Sequence, residues 1–295
     1  MLFQGPYAIL LSSFLETGEP DMAVYERQIE RLCGTELSGI VACGSSGEFS
    51  ILTPEENIAL LKTTAQIAKG RKKLIGGATA GDIKVTLQYL SAMAEYGYDG
   101  ALIAPPYYFP MGDMEIVDFY RMLNDAQTGV PIVIYQIPQF TSGVSMAVYE
   151  KLLALEGVAG LKNSSCNISQ IMKQACLRDE CKPDFSLLSG SDECIMPCLS
   201  IGANGSFTAL SGIFPELVTA LYRAMGTEDA LSIQRKLVKL VCVAEMAPFP
   251  LGYKLLAEAA GCFQLGHPRQ AVSKDRLNEY RSTIAEAYET YRGCV

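Results

Sequence analysis

The chain has 295 residues, 49% of them hydrophobic, which is enough apolar material to bury a sizeable core and excludes a disordered or fibrous protein. Its 24 Lys and Arg against 32 Asp and Glu leave a formal net charge of −8 with no block of like charge, so no basic stripe is offered to nucleic acid or to an anionic membrane surface. At ~100 to 200 residues per domain, the length fits two ordinary domains or one large barrel.

A short apolar run, Tyr7 to Ser12, comes first, and after a turn at Gly18 to Pro20 a helix is predicted from Met22 to Cys33, ended by Gly34. Gly39 to Cys43 is the next run; Thr53 then caps a helix that has Pro54 and two acids in its first turn and extends to Lys69. Lys73 to Gly77 precedes a helix from Asp82 to Tyr96, Ala101 to Ala104 precedes Asp113 to Asp125, and Pro131 to Tyr135 precedes Ser145 to Leu153. Val158 to Lys162 precedes Ile168 to Arg178, Phe185 to Ser189 leads to Glu193 to Leu199, and Gly205 to Thr208 leads to Pro215 to Met225.

These are eight strand-helix units whose strands are short, apolar throughout and bounded by Gly or Pro, as in a parallel sheet covered on both faces. Eight units predict closure into a (β/α)8 TIM barrel, which takes ~250 residues. We assign the catalytic barrel to residues 1–225 and a C-terminal helical extension to 226–295, with helices over Glu228 to Ala244, Leu251 to Ala260 and Lys274 to Tyr291. A doubly wound open sheet is the alternative, but no G-x-G-x-x-G follows the first strand.

The ten cysteines are scattered and form no Cys-x-x-Cys, so reduced, buried thiols are expected rather than a zinc site or redox pair. His267, the only histidine, sits in Leu265-Gly266-His267-Pro268-Arg269 between C-terminal helices and reads as structural. No basic patch precedes an apolar run at the N-terminus, and no run reaches ~18 apolar residues. A cytoplasmic location without membrane contact is expected.

In a barrel, chemistry sits at the C-terminal ends of the strands. Strand two ends in Gly44-Ser45-Ser46-Gly47-Glu48, where small residues let N–H groups converge on a carboxylate or phosphate, or simply make a turn. Strand four ends in Ala104-Pro105-Pro106-Tyr107-Tyr108, strand five in Tyr135-Gln136-Ile137-Pro138, and strand six in Gly160-Leu161-Lys162-Asn163. A lysine emerging there either snorkels to solvent or is partly desolvated, and desolvation favours the neutral, nucleophilic amine. Tyrosines at neighbouring strand ends can shuttle protons or serve only as packing aromatics.

Taken in this order, the segments resemble the pyruvate-dependent class I aldolases and lyases, the dihydrodipicolinate synthase and N-acetylneuraminate lyase family. That family carries a Gly-Thr/Ser-Thr/Ser-Gly-Glu loop after strand two, a Pro-Tyr-Tyr segment after strand four, a Tyr-x-x-Pro after strand five and a Gly-x-Lys on strand six. All four motifs are present, and the likeness runs from Phe3-Gln4-Gly5-Pro6-Tyr7 through Leu187-Leu188-Ser189-Gly190 and Gly202-Ala203-Asn204-Gly205 to the C-terminal helices. The resemblance implies that Lys162 forms a Schiff base with pyruvate and that Tyr135 donates and accepts the proton. It further implies that Ser45 and Ser46, with Gly44, hold the pyruvate carboxylate, and that the carbonyl of Phe207 lies at the pyruvate pocket. Ser45 would link Tyr135 to a Tyr108 supplied by a neighbouring subunit, so a homodimer or homotetramer is implied. No metal or other cofactor is called for.

Two departures bear on the second substrate. Dihydrodipicolinate synthases place an arginine two residues after the Tyr-x-x-Pro proline to bind the aldehyde's carboxylate, and here that position is Phe140, which cannot make such a contact. Gly190-Ser191-Asp192-Glu193 resembles the neuraminate lyase segment whose acids hold sugar hydroxyls, although acids at a helix start are also ordinary dipole partners. The expected function is a lyase or aldolase joining or releasing pyruvate and an aldehyde, with a 2-keto sugar acid as substrate. The alternative is 4-hydroxy-tetrahydrodipicolinate synthase, which condenses pyruvate with aspartate semialdehyde. Two readings from other classes rank lower: a phosphate-binding barrel using Gly190 and Gly205, which Asp192 and Glu193 would oppose, and a non-catalytic keto-acid-binding barrel.

Overall fold

Inward and outward side chains alternate along each short strand, so one apolar sequence serves two cores at once. The computed structural model describes residues 1–264 and 266–293. Its strands are β1 (Gly5–Ile9), β2 (Gly39–Ala42), β3 (Lys73–Gly77), β4 (Gly100–Ile103), β5 (Ile132–Gln136), β6 (Val158–Asn163), β7 (Ser186–Ser189) and β8 (Gly205–Thr208). They lie in chain order, each parallel to the next, and β1 pairs with β8 to close the expected barrel. Between and after them come α1 (Met22–Cys33), α2 (Pro54–Ala68), α3 (Ile83–Tyr96), α4 (Asp113–Asp125), α5 (Met146–Leu153), α6 (Ile168–Cys181), α7 (Ile195–Ser200), α8 (Leu210–Ile213) and α9 (Pro215–Ala224). Three more helices, α10 (Asp229–Ala244), α11 (Leu251–Ala259) and α12 (Lys274–Arg292), form the extension.

Tyr7, Ile9, Val41, Ile75, Leu102, Val133, Leu188 and Phe207 fill the barrel interior. Their neighbours Ala8, Ile40, Leu74, Ala101, Ile134, Leu161 and Leu187 face outward and pack with Ile29, Leu61, Leu90, Tyr120 and Leu152 of the helices. Six helices begin as their sequences suggest, with Asp21, Thr53, Asp82, Ser145, Asn167 and Ser273 each accepting a hydrogen bond from a first-turn N–H. At Thr53 the Glu56 side chain bonds back to the cap's own N–H, completing a capping box.

Most element ends fall within a residue or two of expectation. The helix expected over Glu193 to Leu199 divides: a 3₁₀ turn, Asp192–Cys194, precedes α7, because Pro197 lacks an N–H and is tolerated only in a first turn. The 3₁₀ turn Phe49–Ile51 and the four-residue α8 carry no periodic signal in the sequence, since neither extends much beyond a single turn. The cysteine expectation holds for buried Cys43 and Cys198 but fails for Cys176, Cys181 and Cys242, which are exposed, since a helix with a wet face tolerates a thiol there. His267 is exposed and donates its backbone N–H to the Phe14 carbonyl at 2.9 Å; its neighbour Leu265 lies outside the described residues. Among these, no helix is long and apolar enough to cross a membrane.

The extension is bound to the barrel by a second apolar cluster in which Leu11, Leu210, Val218 and Leu221 pack with Leu237, Leu240, Val241, Leu255, Leu256 and Ile284. Polar ties reinforce it. Arg269 donates to the carbonyls of Gly18 at 2.8 Å and Ile51 at 3.0 Å and pairs with Glu56. Lys254 of α11 forms a buried ion pair with Glu48 at 2.6 Å.

Gly39 faces Tyr7 across the β1–β2 pair, and a Cβ there would overlap the tyrosine ring. Gly39→Ala should therefore destabilise the fold by ~1 to 3 kcal/mol through overpacking. In urea unfolding the midpoint should fall while the slope stays constant; an unchanged midpoint would mean that the ring steps aside freely.

Candidate active site

Tyr135 and Lys162 are lateral partners in the β5–β6 register, so both side chains point into the same end of the barrel. Lys162 is only 1% exposed, and its Nζ lies 4.1 Å from the centroid of the Tyr135 ring. Gly190, just beyond β7, leaves the space this lysine needs: a Cβ there would lie 2.7 Å from Lys162 Cε and would overlap the Ser164 hydroxyl. That steric allowance is the place the structure gives Gly190.

The Tyr135 hydroxyl is 3.3 Å from Ser45 Oγ. Ser45 belongs to the loop after β2, which is folded by bonds from Gly47 N–H to the Gly44 carbonyl and from Glu48 N–H to the Ser45 carbonyl, each 3.0 Å. Ser12 Oγ donates to the Gly47 carbonyl at 2.6 Å. Among the described residues, no acceptor takes the N–H of Ser45 or Ser46. Adjacent amides left free in this way form a cradle for an anion beside Tyr135.

Glu48 ends the loop in a left-handed conformation, φ 60°. Its buried carboxylate meets Lys254, whose ammonium also sits 4.8 Å over the Phe14 ring. Burial pushes the Lys254 ammonium down, and the Glu48 carboxylate opposes that shift. The loop motif by itself gives Glu48 no role, and Lys254 is a residue that sequence reasoning misses. The available signal was a single lysine in the apolar stretch Leu251-Gly252-Tyr253-Lys254-Leu255-Leu256, where a charge without a partner would be costly.

Tyr108 is 87% exposed at φ 79°, packed edge-on against the equally outlying Phe109. Within its own chain it does not reach Ser45 or Tyr135. The Phe207 ring is fully buried, 4.6 Å from Tyr7 and 6.5 Å from Phe3 between ring centroids, and forms the floor of the barrel beneath the site.

A cavity of about 490 Å3 opens outward from Tyr135 and Ser45, walled by Phe49, Tyr107, Ile137, Phe140 and Phe249. The structure does not bring the two acids after β7 to it. Asp192 is buried, accepting from Leu210 N–H at 3.3 Å, and its own carbonyl accepts from Gln234 of α10 at 2.9 Å. Glu193 is exposed and accepts from Ser191 Oγ at 3.2 Å. The 3₁₀ turn points Asp192 inward and Glu193 out, so neither acid lines this cavity. Phe140, by contrast, does stand at the cavity.

Burial pushes the Asp192 carboxyl up to about 6, against the opposing pull of Thr208, the Leu210 N–H and the Lys162 charge. The folded chain therefore holds this proton more tightly than the unfolded chain. The associated stability is present at low pH and is lost as pH rises from the ordinary carboxylate range through about 6. Between pH 5 and 7.5, the wild type should lose roughly 1 kcal/mol relative to Asp192→Asn. Parallel stability curves in denaturant at the two pH values would contradict this.

The chain matches the model of the dihydrodipicolinate synthetase family over residues 2–287. Its curated relatives include the 4-hydroxy-tetrahydrodipicolinate synthase of Exiguobacterium sibiricum, 27% identical over 298 residues and covering 100% of both chains. That of Maridesulfovibrio salexigens is 28% identical, covering 85% of this chain and 87% of its own. Among solved structures, a dihydrodipicolinate synthase from Thermotoga maritima superposes with a TM-score of 0.88 at 22% identity, covering 100% of each chain. A Ruminococcus gnavus sialic acid aldolase superposes at 0.86 with 20% identity and 98% of each chain covered. Barrel, strand-end motifs and near-complete family match coincide, and the chain belongs to the dihydrodipicolinate synthetase family.

Proposed function

We propose that the protein is a class I, pyruvate-dependent lyase or aldolase whose Schiff base forms on Lys162. The observation that carries this reading is the buried Lys162 amine, 4.1 Å over the Tyr135 ring, beside a Tyr135–Ser45 contact of 3.3 Å. The free amides of Ser45 and Ser46 hold the pyruvate carboxylate, which orients the keto carbon toward the lysine. The neutral amine adds to that carbon, and Tyr135 protonates the departing hydroxyl so that water leaves and an imine remains. The protonated imine withdraws electrons from the methyl group, which loses a proton to give an enamine. The enamine carbon attacks an aldehyde to form a carbon-carbon bond, or the reverse sequence breaks one. Hydrolysis of the imine then frees the lysine.

Tyr108 enters this scheme from a second copy of the chain. Its side chain projects into solvent where an adjoining subunit would receive it, and the site is complete as a homodimer or a homotetramer built from such pairs.

Two readings of the aldehyde stand side by side. The curated relatives carry the name 4-hydroxy-tetrahydrodipicolinate synthase, which favours aspartate semialdehyde. Phe140 at the cavity removes the guanidinium that would bind its carboxylate. The keto-sugar-acid reading has neuraminate-type structures among its fold relatives, while Asp192 and Glu193 stand outside the cavity.

Borohydride reduction in the presence of pyruvate should attach the reduced adduct to Lys162 alone, and Lys162→Ala should abolish it. A peptide map placing the adduct on another lysine would sink the mechanism. Tyr135→Phe should slow turnover roughly 10²- to 10⁴-fold while pyruvate binding changes little. Mixing Tyr108→Phe chains with Lys162→Ala chains should restore part of the activity that each lacks. Persistent inactivity of the mixture would show that the tyrosine acts within its own chain or not at all.

A further inference from the structure

The cavity beyond the reacting atoms is far larger than pyruvate, at about 490 Å3, so its walls select the second reactant. Those walls are aromatic. Phe140 from the loop after β5 and Phe249 from the extension lie 5.8 Å apart with ring planes inclined by 32°, and Phe49 meets Tyr107 edge-on at 6.1 Å. Ile137 adds an aliphatic side chain to the same lining.

Several polar groups of the lining are already engaged, while the hydroxyls of Ser50 and Tyr107 remain without a protein partner among the described residues. Gln139 donates to the Ser164 carbonyl at 3.0 Å, Thr141 to the Ile137 carbonyl at 3.3 Å, and Gln270 to the Phe249 carbonyl at 2.8 Å. Glu48 is held by Lys254 at 2.6 Å. No lysine or arginine lines the cavity among the described residues. A carboxylate entering here would shed its hydration without gaining a cation, and a polyol would meet only scattered hydroxyls among aromatic walls. A flat apolar group would exchange water for ring contacts on two sides.

We infer that the aldehyde handled at this site carries an aromatic or similarly flat, apolar substituent. The inference rests on the Schiff-base reading above and specifies its second substrate. In the bond-forming direction, the enamine carbon derived from the pyruvate methyl attacks the aldehyde carbon. The carbonyl oxygen takes up the proton relayed through Tyr135, and hydrolysis releases a 4-aryl-4-hydroxy-2-oxobutanoate. In cleavage, the same carbon-carbon bond breaks: the hydroxyl proton is returned to Tyr135, the electron pair passes into the imine, and the aryl aldehyde departs.

The test measures condensation of pyruvate with benzaldehyde, aspartate semialdehyde and N-acetylmannosamine on the full-length protein, with borohydride trapping of pyruvate run in parallel. Benzaldehyde should exceed each of the others at least tenfold in kcat/KM. Phe249→Ala should lower the benzaldehyde value about tenfold, within the range that a lost apolar pocket contact commands, while trapping of pyruvate on Lys162 stays at the wild-type level. Phe140→Arg should raise the aspartate semialdehyde value about tenfold and lower that for benzaldehyde. Normal trapping with a preference for the semialdehyde or the amino sugar, or with no turnover of benzaldehyde, would overturn the inference and leave the Schiff-base reading standing. Loss of trapping in the wild type would overturn both.

Discussion

Lys162 is almost wholly buried near the end of a strand of a closed barrel, and its surroundings are arranged around that fact. Closure between β1 and β8 gives every strand an inward face, so one long cationic side chain can be placed among apolar neighbours only if adjacent strands yield space. Gly190 yields it on one side, and the Tyr135 ring supplies a polarisable face on the other. The Phe207, Tyr7 and Phe3 rings below close the barrel against solvent. Access is therefore from the strand ends alone, where the loop after β2 presents its free amides. Lys162, Tyr135 and the loop after β2 converge because the sheet closes, not because they are near in sequence.

The second organising contact is the buried pair of Glu48 and Lys254. Replacing two well-packed apolar side chains by such a pair brings little net stability, yet removing one member leaves a charge in the interior, at a cost of about 3 to 5 kcal/mol. Its effect is geometric. Glu48 ends the loop that carries Ser45, and Lys254 lies on α11, so the pair fixes the cradle relative to the extension. Phe249 precedes the same helix, and the wall of the cavity is thereby placed in register with the reacting end of the barrel.

The barrel was legible because each unit repeats one physical pattern, a short apolar run between Gly or Pro followed by a capped amphipathic helix, and eight repeats leave little topological choice. Lys162, Tyr135, Ser45 and Ser46 were legible for a related reason: polar residues at the ends of buried strands have nowhere to go but the mouth. What escaped was whatever depends on a turn of a few residues. Whether Asp192 faces in or out is decided by the 3₁₀ turn after β7, which no periodicity announces. Phe249 lies more than a hundred residues from Phe140, and their pairing follows from how the extension folds back over the mouth. Lys254 was hidden because a lysine on a helix is usually wet; only its partner, some two hundred positions earlier, keeps it dry.

The fastening of α11 to the loop after β2 bears on how such a barrel can change over time. An appended helical segment would ordinarily be free to drift, shorten or be exchanged, since it supplies no nucleophile and no proton carrier. Here one of its lysines holds the cradle and the phenylalanine just before it lines the cavity. Remodelling of the tail is thus a route to new substrates that leaves the strand-end chemistry intact, provided position 254 and position 48 change in step. The barrel conserves the reaction, and its appendage is where selectivity can diversify.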